Sequence, residues 1–562
     1  MCGIHVALSA IPHAISPQLK QCLCNRGPDY FGQEERRVGG INSPQSWTLT
    51  FTSTVLALRG DHIAKQPLVE STSGSVLCWN GEAWRVGGHP VDGNDGEGIL
   101  TLLKKASAFA PAARHDAILD VFRSVEGPFA FVYYDKPAER LIFGRDRLGR
   151  RSLLFTHDEA SGTLALCSIA EASDPSWKEV EADGIYILNL AQLQQHAIPA
   201  THERAKHEWL SSDQADFISS IGTFNKSLPS ANSALTALSP SVGMLKQQLL
   251  DSLRPRVLGI PQPPSTSAGE TRVAMLFSGG LDCTVLARLV HDLLEPDQAV
   301  DLINVAFENP RVVAQLEKEA KGDEPIDFYE ACPDRITGRK SFAELERVCP
   351  GRAFCFLAVN VPYSETLAHR RQVTSLIYPH NTEMDLSIAY ALYFAARGQG
   401  SCSSPSSGRD SPQEPHTSSA RVLLSGLGAD ELFGGYVRHA TAFSRQGYPG
   451  LVDELLLDVG RLGKRNLGRD DRAMSHWGKE VRFPFLDERL VRWAIETPAW
   501  EKCDFGNGED VTGVEAGKRV LRLLALELGM RGVAKEKKRA IQFGSRTAKM
   551  ESGRVKGTTL LS

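Results

Sequence analysis

Apolar residues are grouped along this chain in two patterns, which predict two kinds of sheet. Up to about residue 200, short apolar runs alternate with turn residues, which is typical of antiparallel strands. Residues 126–135 and 140–146 are predicted as two strands joined by a Lys-Pro turn, and 164–167 and 184–188 as two further strands. The first part of the chain is therefore expected to be rich in strands.

After about residue 270, apolar strands alternate with helical patterns instead. Strands are predicted at 300–307, 372–378 and 421–424, and a helix at 384–397. Such alternation is typical of a parallel sheet that is covered by helices. In an open sheet of this kind, ligands bind beyond the carboxyl ends of the strands.

The length of the chain requires more than one core. A chain of 562 residues is too long for a single hydrophobic core, and the motifs favour two domains. We predict a first domain at 2–205, a linker at 206–270 that contains a helix at 242–253, and a second domain at 271–562. A Gly-, Ser- and Pro-rich insertion at 398–420 is predicted to be a surface loop.

Composition excludes several classes of protein. The chain is 42% hydrophobic and 23% charged, and its formal net charge of −4 gives no signature of nucleic-acid binding. No apolar run approaches the length of a membrane span. Eleven cysteines form an odd, scattered set without a signal peptide, which predicts reduced thiols in a cytoplasmic protein. Whether the chain forms a homodimer stays open.

The second residue is the first candidate for chemistry. If Met1 is removed, Cys2 carries both a thiol and a free α-amine, and an amine with a reference pKa of about 8 can accept the proton of the thiol. The chain then needs no histidine as a base. The alternative is that a cysteine at position two is there by chance.

Polar segments follow Cys2 at 26–29, 58–60, 80–82 and 94–95, and the last three offer partners for the groups of an α-amino acid amide. The guanidinium of Arg59 can bind a carboxylate bidentately, and Asp95 can hold an ammonium group with Glu82 as a helper. The side-chain amide of Asn80 and the N–H of Gly81 can donate to an oxyanion. Each residue alone has another explanation, a solvated surface charge or a hairpin turn.

Together these segments resemble the class II glutaminase domain, which has the αββα fold of N-terminal-nucleophile hydrolases. The resemblance runs from Cys2 to about residue 200. It implies that glutamine is the substrate. It also assigns catalytic roles to Cys2, Asn80 and Gly81, and glutamine binding to Arg59, Glu82 and Asp95.

A loop of small residues, 278–283, follows the apolar run at 272–277 and precedes a helical pattern at 285–294. Small residues let the backbone approach phosphate oxygens at the start of a helix. The loop lacks the Gly-Lys-Ser/Thr end of a P-loop. It resembles the Ser-Gly-Gly-x-Asp-Ser loop of ATP pyrophosphatases, with Cys283 in place of the last serine.

A second loop, Ser-Gly-Leu-Gly-Ala-Asp-Glu at 425–431, resembles the Ser-Gly-Glu-Gly-Ala/Ser-Asp-Glu loop of glutamine-dependent asparagine synthetases and β-lactam synthetases. Segments 471–487 and 518–522 continue this similarity, which thus covers nearly the whole chain. The resemblance implies an ATP pyrophosphatase domain that uses ATP and Mg²⁺. The residues it assigns to ATP and pyrophosphate are Leu276, Ser278, Gly279, Gly280, Asp282, Cys283, Ser425 and Gly426, and those it assigns to Mg²⁺ are Asp282 and Asp430.

Two departures separate this chain from the synthetases. Leu427 stands where they have a glutamate, so an ionisable group is absent. Ala540 stands where they have a lysine near the α-phosphate, and Lys538 or Arg539 is the nearest substitute. These departures are similar to those of a divergent branch, the asparagine synthetase domain-containing proteins.

Three hypotheses about function follow from the resemblance. The chain hydrolyses glutamine and uses the ammonia to convert adenylylated aspartate to asparagine, with release of AMP and pyrophosphate. Alternatively, it amidates another carboxylate, or it binds glutamine or ATP without catalysis and serves as a scaffold. The missing glutamate at Leu427 is what separates the first hypothesis from the other two.

Overall fold

The structure is a computed structural model of the chain. It describes residues 2–39, 47–158, 161–171, 176–192, 204–210, 217–218, 220–230, 233–262, 270–319, 326–403, 414–464, 466–507, 513–550 and 556–561. The chain forms two compact units. The first unit contains residues 1–215, 375–380 and 462–479, and the second contains 216–374, 381–461 and 480–562.

Up to residue 223, the described residues form many strands and three α-helices. The strands are β1 (Gly3–Ser9), β2 (Tyr30–Val38), β3 (Trp47–Val55), β4 (Leu68–Val69), β5 (Val76–Gly81), β6 (Arg85–Val86), β7 (His89–Pro90), β8 (Val125–Glu126), β9 (Phe129–Asp135), β10 (Arg140–Arg145), β11 (Leu154–Asp158), β12 (Thr163–Cys167), β13 (Lys178–Glu179), β14 (Ile185–Asn189), β15 (Ala205–His207), β16 (Phe217–Ile218) and β17 (Gly222–Thr223). The helices are α1 (Pro17–Arg26), α2 (Asp95–Ser107) and α3 (Pro111–Arg123).

After residue 223 helices predominate. The strands are β18 (Val273–Leu276), β19 (Val300–Phe307), β20 (Phe354–Val361), β21 (Gln399–Ser403), β22 (Glu414–Thr417), β23 (Val422–Leu424) and β24 (Glu480–Arg482). The helices are α4 (Pro240–Val257), α5 (Leu281–Leu293), α6 (Pro310–Glu319), α7 (Pro333–Val348), α8 (Tyr363–Ile377), α9 (Glu383–Arg397), α10 (Ala429–Phe433), α11 (Val437–Val459), α12 (Leu467–Ser475), α13 (Glu488–Glu496), α14 (Arg519–Glu527), α15 (Arg531–Ala534) and α16 (Ile541–Gly544).

The first unit is a sandwich of two six-stranded antiparallel sheets. Their strand orders are β13-β11-β12-β1-β3-β2 and β15-β14-β10-β9-β5-β4. Alternate residues of β9 enter different cores, as the two-residue period of a strand requires. Ala130 and Val132 pack between the sheets with Ile4 of β1, whereas Phe129 and Phe131 pack in the core that contains apolar residues of α2 and α3.

Helix α1 covers the other side of the sandwich. Leu19 and Leu23 pack against Ala7 and Ala165 of the β1 sheet. Helices therefore lie outside both sheets, which confirms the predicted αββα fold. The four predicted strands of this part also occur, as β9, β10, β12 and β14.

The second unit is built on a seven-stranded sheet of order β22-β21-β20-β19-β18-β23-β24. Strands β20, β19, β18, β23 and β24 are parallel to their neighbours in this order, as predicted. Strand β21 pairs antiparallel with both β20 and β22. The chain proceeds from β18 to β19 on one side, and β23 pairs with β18 on the other. Strand β18 is thus the switch point beside which ligands bind in such sheets.

The strand predicted at 372–378 is wrong. Residues 363–377 form helix α8, and the strand of this region is β20 at 354–361. Val373, Leu376 and Ile377 are buried, and their spacing of three and four residues is that of one helix face. A short apolar run does not distinguish a buried strand from a buried helix face.

The insertion predicted as a surface loop at 398–420 is partly a hairpin. Strand β21 pairs antiparallel with β20 and with β22, so both ends of the insertion extend the sheet. Residues 404–413 lie outside the described residues. The predicted linker and second domain also divide differently here, because α4 belongs to the second unit and α12 to the first.

Helix α12 is bound to the first unit by buried arginines and carboxylates. Arg26 Nη2 lies 2.9 Å from Asp471 Oδ2, and Arg472 Nη1 lies 2.6 Å from Glu179 Oε1. Burial raises the pKa of Glu179, but Arg472 and Arg145 outweigh burial and lower this pKa to about 2. These pairs explain why a segment far along the chain belongs to this unit.

One pair of cysteines departs from the expectation of reduced thiols. Cys355 of β20 and Cys402 of β21 are joined by a disulfide bond. Their Cα atoms are 5.8 Å apart, because the two residues lie on neighbouring strands. Among the described residues, no helix is both long and apolar enough to span a bilayer.

Candidate active sites

Cys2 is buried directly before β1. Its main-chain nitrogen contacts the end of β5, a strand of the other sheet. The main-chain N–H of Cys2 donates to Oδ1 of Asn80, at 3.0 Å. The other amide atom of Asn80, Nδ2, is buried and has no hydrogen-bond partner among the residues the structure describes. An unsatisfied buried donor is costly, so its place beside Cys2 suits an acceptor that arrives with substrate.

Gln66 is a neighbour of Cys2 that the sequence did not indicate. Its Nε2 lies 3.7 Å from Sγ of Cys2, and its Oε1 accepts a hydrogen bond from the N–H of Trp79 at 2.8 Å. The amide side chain therefore links the thiol to β5. No motif surrounds Gln66, so only the folded structure could identify it.

Arg26 contacts the main-chain carbonyl group of Cys2. Its Nε lies 3.4 Å from the carbonyl oxygen of Cys2, and its Nη1 donates to Oγ of Ser475 at 2.5 Å. Arg26 is fully buried, and its partners on α12 fix the position of its guanidinium. The main chain of Cys2 is thereby held at its N–H by Asn80 and at its carbonyl oxygen by Arg26.

Arg59, Glu82 and Asp95, the residues that the sequence predicts to bind glutamine, lie in one cluster. Arg59 donates to the carbonyl oxygens of Ala83, at 2.7 Å, and Val91, and its Nη1 lies 3.6 Å from Oε2 of Glu82. Asp95 accepts hydrogen bonds from Nε1 of Trp79 and the N–H of Ala83. Burial raises the pKa of Asp95, and the positive charge of Arg59 partly offsets this.

We expect Arg59→Lys to raise the KM for glutamine by about tenfold to 100-fold, with a smaller effect on kcat. A lysine cannot make a bidentate contact with a carboxylate, and a charged hydrogen bond contributes about 1.5–3 kcal/mol. Steady-state glutaminase kinetics measures both constants. Arg85→Lys is the control, since Arg85 is in the same unit and pairs with Glu126 instead. An unchanged KM in Arg59→Lys would exclude this residue from the substrate site.

The first small-residue loop of the second unit connects β18 to α5. Gly279 has a φ of +78°, and a Cβ there would lie 2.5 Å from Cα of Gly338, so only glycine fits. The N–H of Gly280 donates to Oγ of Ser278 at 3.3 Å. Cys283 Sγ donates to the carbonyl oxygen of Gly280 at 3.3 Å, and burial raises the pKa of this thiol. Cys283 thus supports the loop backbone as a neutral thiol.

The second loop, after β23, lies against the first. A Cβ on Gly426 would come within 2.9 Å of Cβ of Asp282, so the absence of a side chain permits this approach. The N–H of Leu427 donates to Oγ of Ser425 at 3.3 Å. Both loops follow adjacent parallel strands, which explains why two motifs far apart in sequence meet.

Two lysines and two aspartates meet where the loops approach each other. Lys518 Nζ lies 2.7 Å from Oδ2 of Asp282 and 2.6 Å from Oδ1 of Asp430, and Lys538 Nζ lies 2.6 Å from Oδ2 of Asp430. Burial raises the pKa of Asp430, but the two lysines outweigh it and lower this pKa to about 2. Lys518 was not among the predicted site residues, although it begins the matching segment 518–522.

These groups line one cleft of the second unit. The two carboxylates that share Lys518 are suited to Mg²⁺, and the basic side chains are suited to phosphate oxygens. Ala540 does not line the cleft, whereas Lys538 and Arg539 do. The residues of the cleft used in this argument are Ser278, Gly280, Asp282, Asp430, Lys518, Lys538 and Arg539.

Asp334 also lines this cleft, and sequence reasoning missed it. Burial raises the pKa of Asp334 to about 7, although the charge of Arg539 opposes the shift. Between about pH 4, the reference value, and pH 7 the folded protein binds more protons than the unfolded chain, so the contribution of Asp334 to stability falls as pH rises.

We therefore expect Asp334→Asn to raise the unfolding temperature at pH 8 and to leave it nearly unchanged at pH 4.5. An amide keeps the shape of the side chain without the charge that burial disfavours. Thermal unfolding of the ligand-free protein at both pH values measures the difference. Asp251→Asn, at a side chain with 47% exposure, is the control. An equal gain at both pH values would contradict the raised pKa.

The family comparisons match both units. The chain matches the family model Asparagine synthase at 412–455 and 443–558, and Glutamine amidotransferase domain at 54–173. It is 33% identical to asparagine synthetase domain-containing protein 1 of Bos taurus, over 99% of this chain and 97% of that protein. It is 32% identical to asparagine synthetase domain-containing protein YML096W of Saccharomyces cerevisiae, over 96% and 90%. It is 22% identical to asparagine synthetase B [glutamine-hydrolyzing] of Escherichia coli, over 88% and 73%.

The matched ranges contain most of the candidate residues. Cys2 and the loop at 278–283 lie outside the family-model matches, so their assignment depends on the motifs and on the contacts described above. The matched ranges contain Arg59, Asn80, Gly81, Glu82 and Asp95 in the first unit, and Ser425, Gly426, Asp430, Lys518 and Lys538 in the second.

Proposed function

The chain belongs to the family of asparagine synthetase domain-containing proteins, and from this membership we propose that it is a glutamine-hydrolysing, ATP-dependent amidotransferase that converts aspartate to asparagine. The observation that carries the proposal is the contact between Cys2 and Asn80. It combines a buried cysteine with an adjacent amide donor, Nδ2, that lacks a partner among the described residues. A thiol nucleophile and an oxyanion donor are the two groups that amide hydrolysis requires.

In the proposed first reaction, removal of Met1 converts the nitrogen of Cys2 into an amine, which accepts the proton of the thiol. The thiolate attacks the side-chain amide carbon of glutamine, and Asn80 Nδ2 and the N–H of Gly81 donate to the resulting oxyanion. The proton returns to the amide nitrogen, which leaves as ammonia. Water then hydrolyses the thioester to glutamate and restores Cys2. Arg59 binds the carboxylate of glutamine.

In the proposed second reaction, an oxygen of the aspartate side-chain carboxylate attacks the α-phosphorus of ATP, and pyrophosphate leaves. Ammonia then attacks the acyl carbon, and AMP leaves as asparagine forms. The loop at 278–280 binds the pyrophosphate, and Lys518 and Lys538 stabilise its negative charge. Asp282 and Asp430 would hold Mg²⁺, which neutralises phosphate charge when it is bound.

A second candidate function is the amidation of a different carboxylate, and Leu427 favours it. The main chain of Leu427 is held by Ser425 in the loop beside Asp282, and its side chain is half-buried. An apolar side chain at this place cannot accept a proton or hold an ammonium ion, which the glutamate of the asparagine synthetases can do. A more apolar acceptor than aspartate would suit it.

The test supplies glutamine, aspartate and Mg-ATP, and measures glutamate, asparagine, AMP and pyrophosphate together by mass spectrometry and phosphate coupling. Equal amounts of asparagine and AMP would support the synthetase. Glutamate without asparagine indicates another acceptor, and Leu427→Glu then tests whether a carboxylate restores the use of aspartate. No product of any kind would contradict catalysis and favour a binding scaffold. Ammonium chloride in place of glutamine tests the second reaction alone.

A further inference from the structure

Four potential metal ligands lie on one face of the seven-stranded sheet, at the end of the sheet formed by the insertion. Asp301 of β19 is paired with Cys355 of β20, and Cys402 of β21 is paired with Leu357, two residues beyond Cys355. His416 of β22 is paired with Gly400, two residues before Cys402. Paired residues, and residues two apart on one strand, share a face. The register therefore brings all four side chains together.

The side chains meet as the register requires. Single ligand atoms of Asp301, Cys355 and His416 all lie within 4.8 Å of one another, and Cys402 is bonded to Cys355. His416 Nε2 lies 3.7 Å from Oδ2 of Asp301. Aspartate, histidine and cysteine all bind zinc in proteins, and four such groups complete a tetrahedral site.

A second layer of hydrogen bonds orients the buried carboxylate. Oγ of Ser418 donates to Oδ2 of Asp301 at 2.5 Å, and Oγ1 of Thr271 donates to Oδ1 at 3.2 Å. Asp301 is 1% exposed, whereas His416 is 38% exposed. Outer hydrogen bonds of this kind commonly fix the ligands of metal sites. The exposed histidine leaves a path by which an ion can enter from solvent.

We propose that Asp301, Cys355, Cys402 and His416 form a structural Zn²⁺ site when the two cysteines are reduced. Zinc binds the thiolate form, so both thiols release their protons on binding. The disulfide is the alternative state of the same pair. An oxidant that takes two electrons from the two thiolates joins the sulfurs and releases the ion.

The position of the site indicates a structural role and not a catalytic one. Asp301 and Cys355 are the second residues of β19 and β20, at the amino ends of these parallel strands. The loops at 278–280 and 425–428 instead follow the carboxyl ends of β18 and β23. Because these strands are parallel to β19 and β20, the loops lie at the other ends of the strands, away from the four ligands. Zinc would fasten the β21–β22 hairpin to the parallel strands, and so order an insertion whose composition is that of a loop.

The test uses the full chain, purified without a histidine tag and with a phosphine reductant. We expect elemental analysis to find about one equivalent of Zn²⁺ per chain, and the Co²⁺-loaded protein to show thiolate-to-cobalt absorption in the near ultraviolet. Cys402→Ser and His416→Ala should each lose the zinc. Cys24→Ser and His291→Ala, at residues that are also partly exposed, should keep it.

A thermal readout separates loss of the ion from failure to fold. A chelator should lower the unfolding temperature of the reduced wild type but not that of Cys402→Ser, because a ligand that binds only the folded state stabilises it. Protein oxidised with diamide should bind no Co²⁺. Reduced wild type that binds neither metal, or Cys402→Ser that keeps its zinc, would overturn the proposal. Asp301→Asn provides a third ligand variant if Cys402→Ser is insoluble.

Discussion

Cys2→Ala is expected to lower the kcat of glutamine hydrolysis by about 10⁴-fold to 10⁶-fold. Loss of the nucleophile removes the covalent pathway, so only binding and oxyanion stabilisation remain, and changes of this size are typical of such a loss. The rate of glutamate release measures this kcat. Cys24→Ala is the control, since it removes a thiol on α1 that has no role in the proposed mechanism. The ammonium-dependent reaction should be unchanged, because it does not use the thiol.

Intact-mass measurement of the purified protein completes this experiment. Active protein should lack Met1, since an acylated nitrogen at Cys2 cannot accept the proton of the thiol. Glutaminase activity that survives Cys2→Ala, or full activity in protein that retains Met1, would show that the nucleophile or its base lies elsewhere.

Asp430→Asn should lower ATP–pyrophosphate exchange on the order of 100-fold. The change removes one of the two carboxylates that suit Mg²⁺, and it leaves Lys538 without its ion-pair partner Asp430. Isotope exchange between ATP and pyrophosphate, with the acceptor carboxylate present, measures the adenylylation step of the second reaction without any contribution from glutamine. Asp453→Asn, an exposed carboxylate on α11 of the same unit, is the control.

Glutamine hydrolysis provides the internal check for this variant. We expect glutaminase activity in Asp430→Asn to equal that of the wild type, since Asp430 belongs to the second unit. Retained exchange in a folded Asp430→Asn protein would exclude this aspartate from the metal site. If both activities disappear, Asp282→Asn is the second variant, because it removes the other carboxylate of the pair.

Local motifs in the sequence mark those parts of both candidate sites that consist of neighbouring residues. Cys2, the Asn80–Glu82 segment and the loop at 278–283 are contiguous signals, and the structure groups the polar residues around them. Gln66 and Asp334 reach their sites through tertiary packing, and no local pattern marks them. Lys518 lies between these two cases. Its segment, 518–522, resembles the synthetases in sequence, but its ion pairs with Asp282 and Asp430 join residues far apart in the chain.

The errors in the predicted fold have the same origin. The run at 372–378 is apolar on one side only, and its burial depends on which neighbours cover it. The hairpin in the insertion has a sequence rich in glycine, serine and proline, residues that are depleted from strands or typical of turns. Strand β21 forms because β20 offers an edge for pairing, which is a property of the sheet and not of the segment.

The pairs that attach α12 to the first unit have a consequence for synthesis of the protein. Arg26 and Glu179 are made early, but their partners Asp471 and Arg472 leave the ribosome only after most of the second unit has been translated. At ordinary elongation rates this delay is roughly tens of seconds. Until then the first unit lacks Asp471 and Arg472, which pair with Arg26 and Glu179, and an N-terminal fragment that ends near residue 215 would lack both pairs permanently.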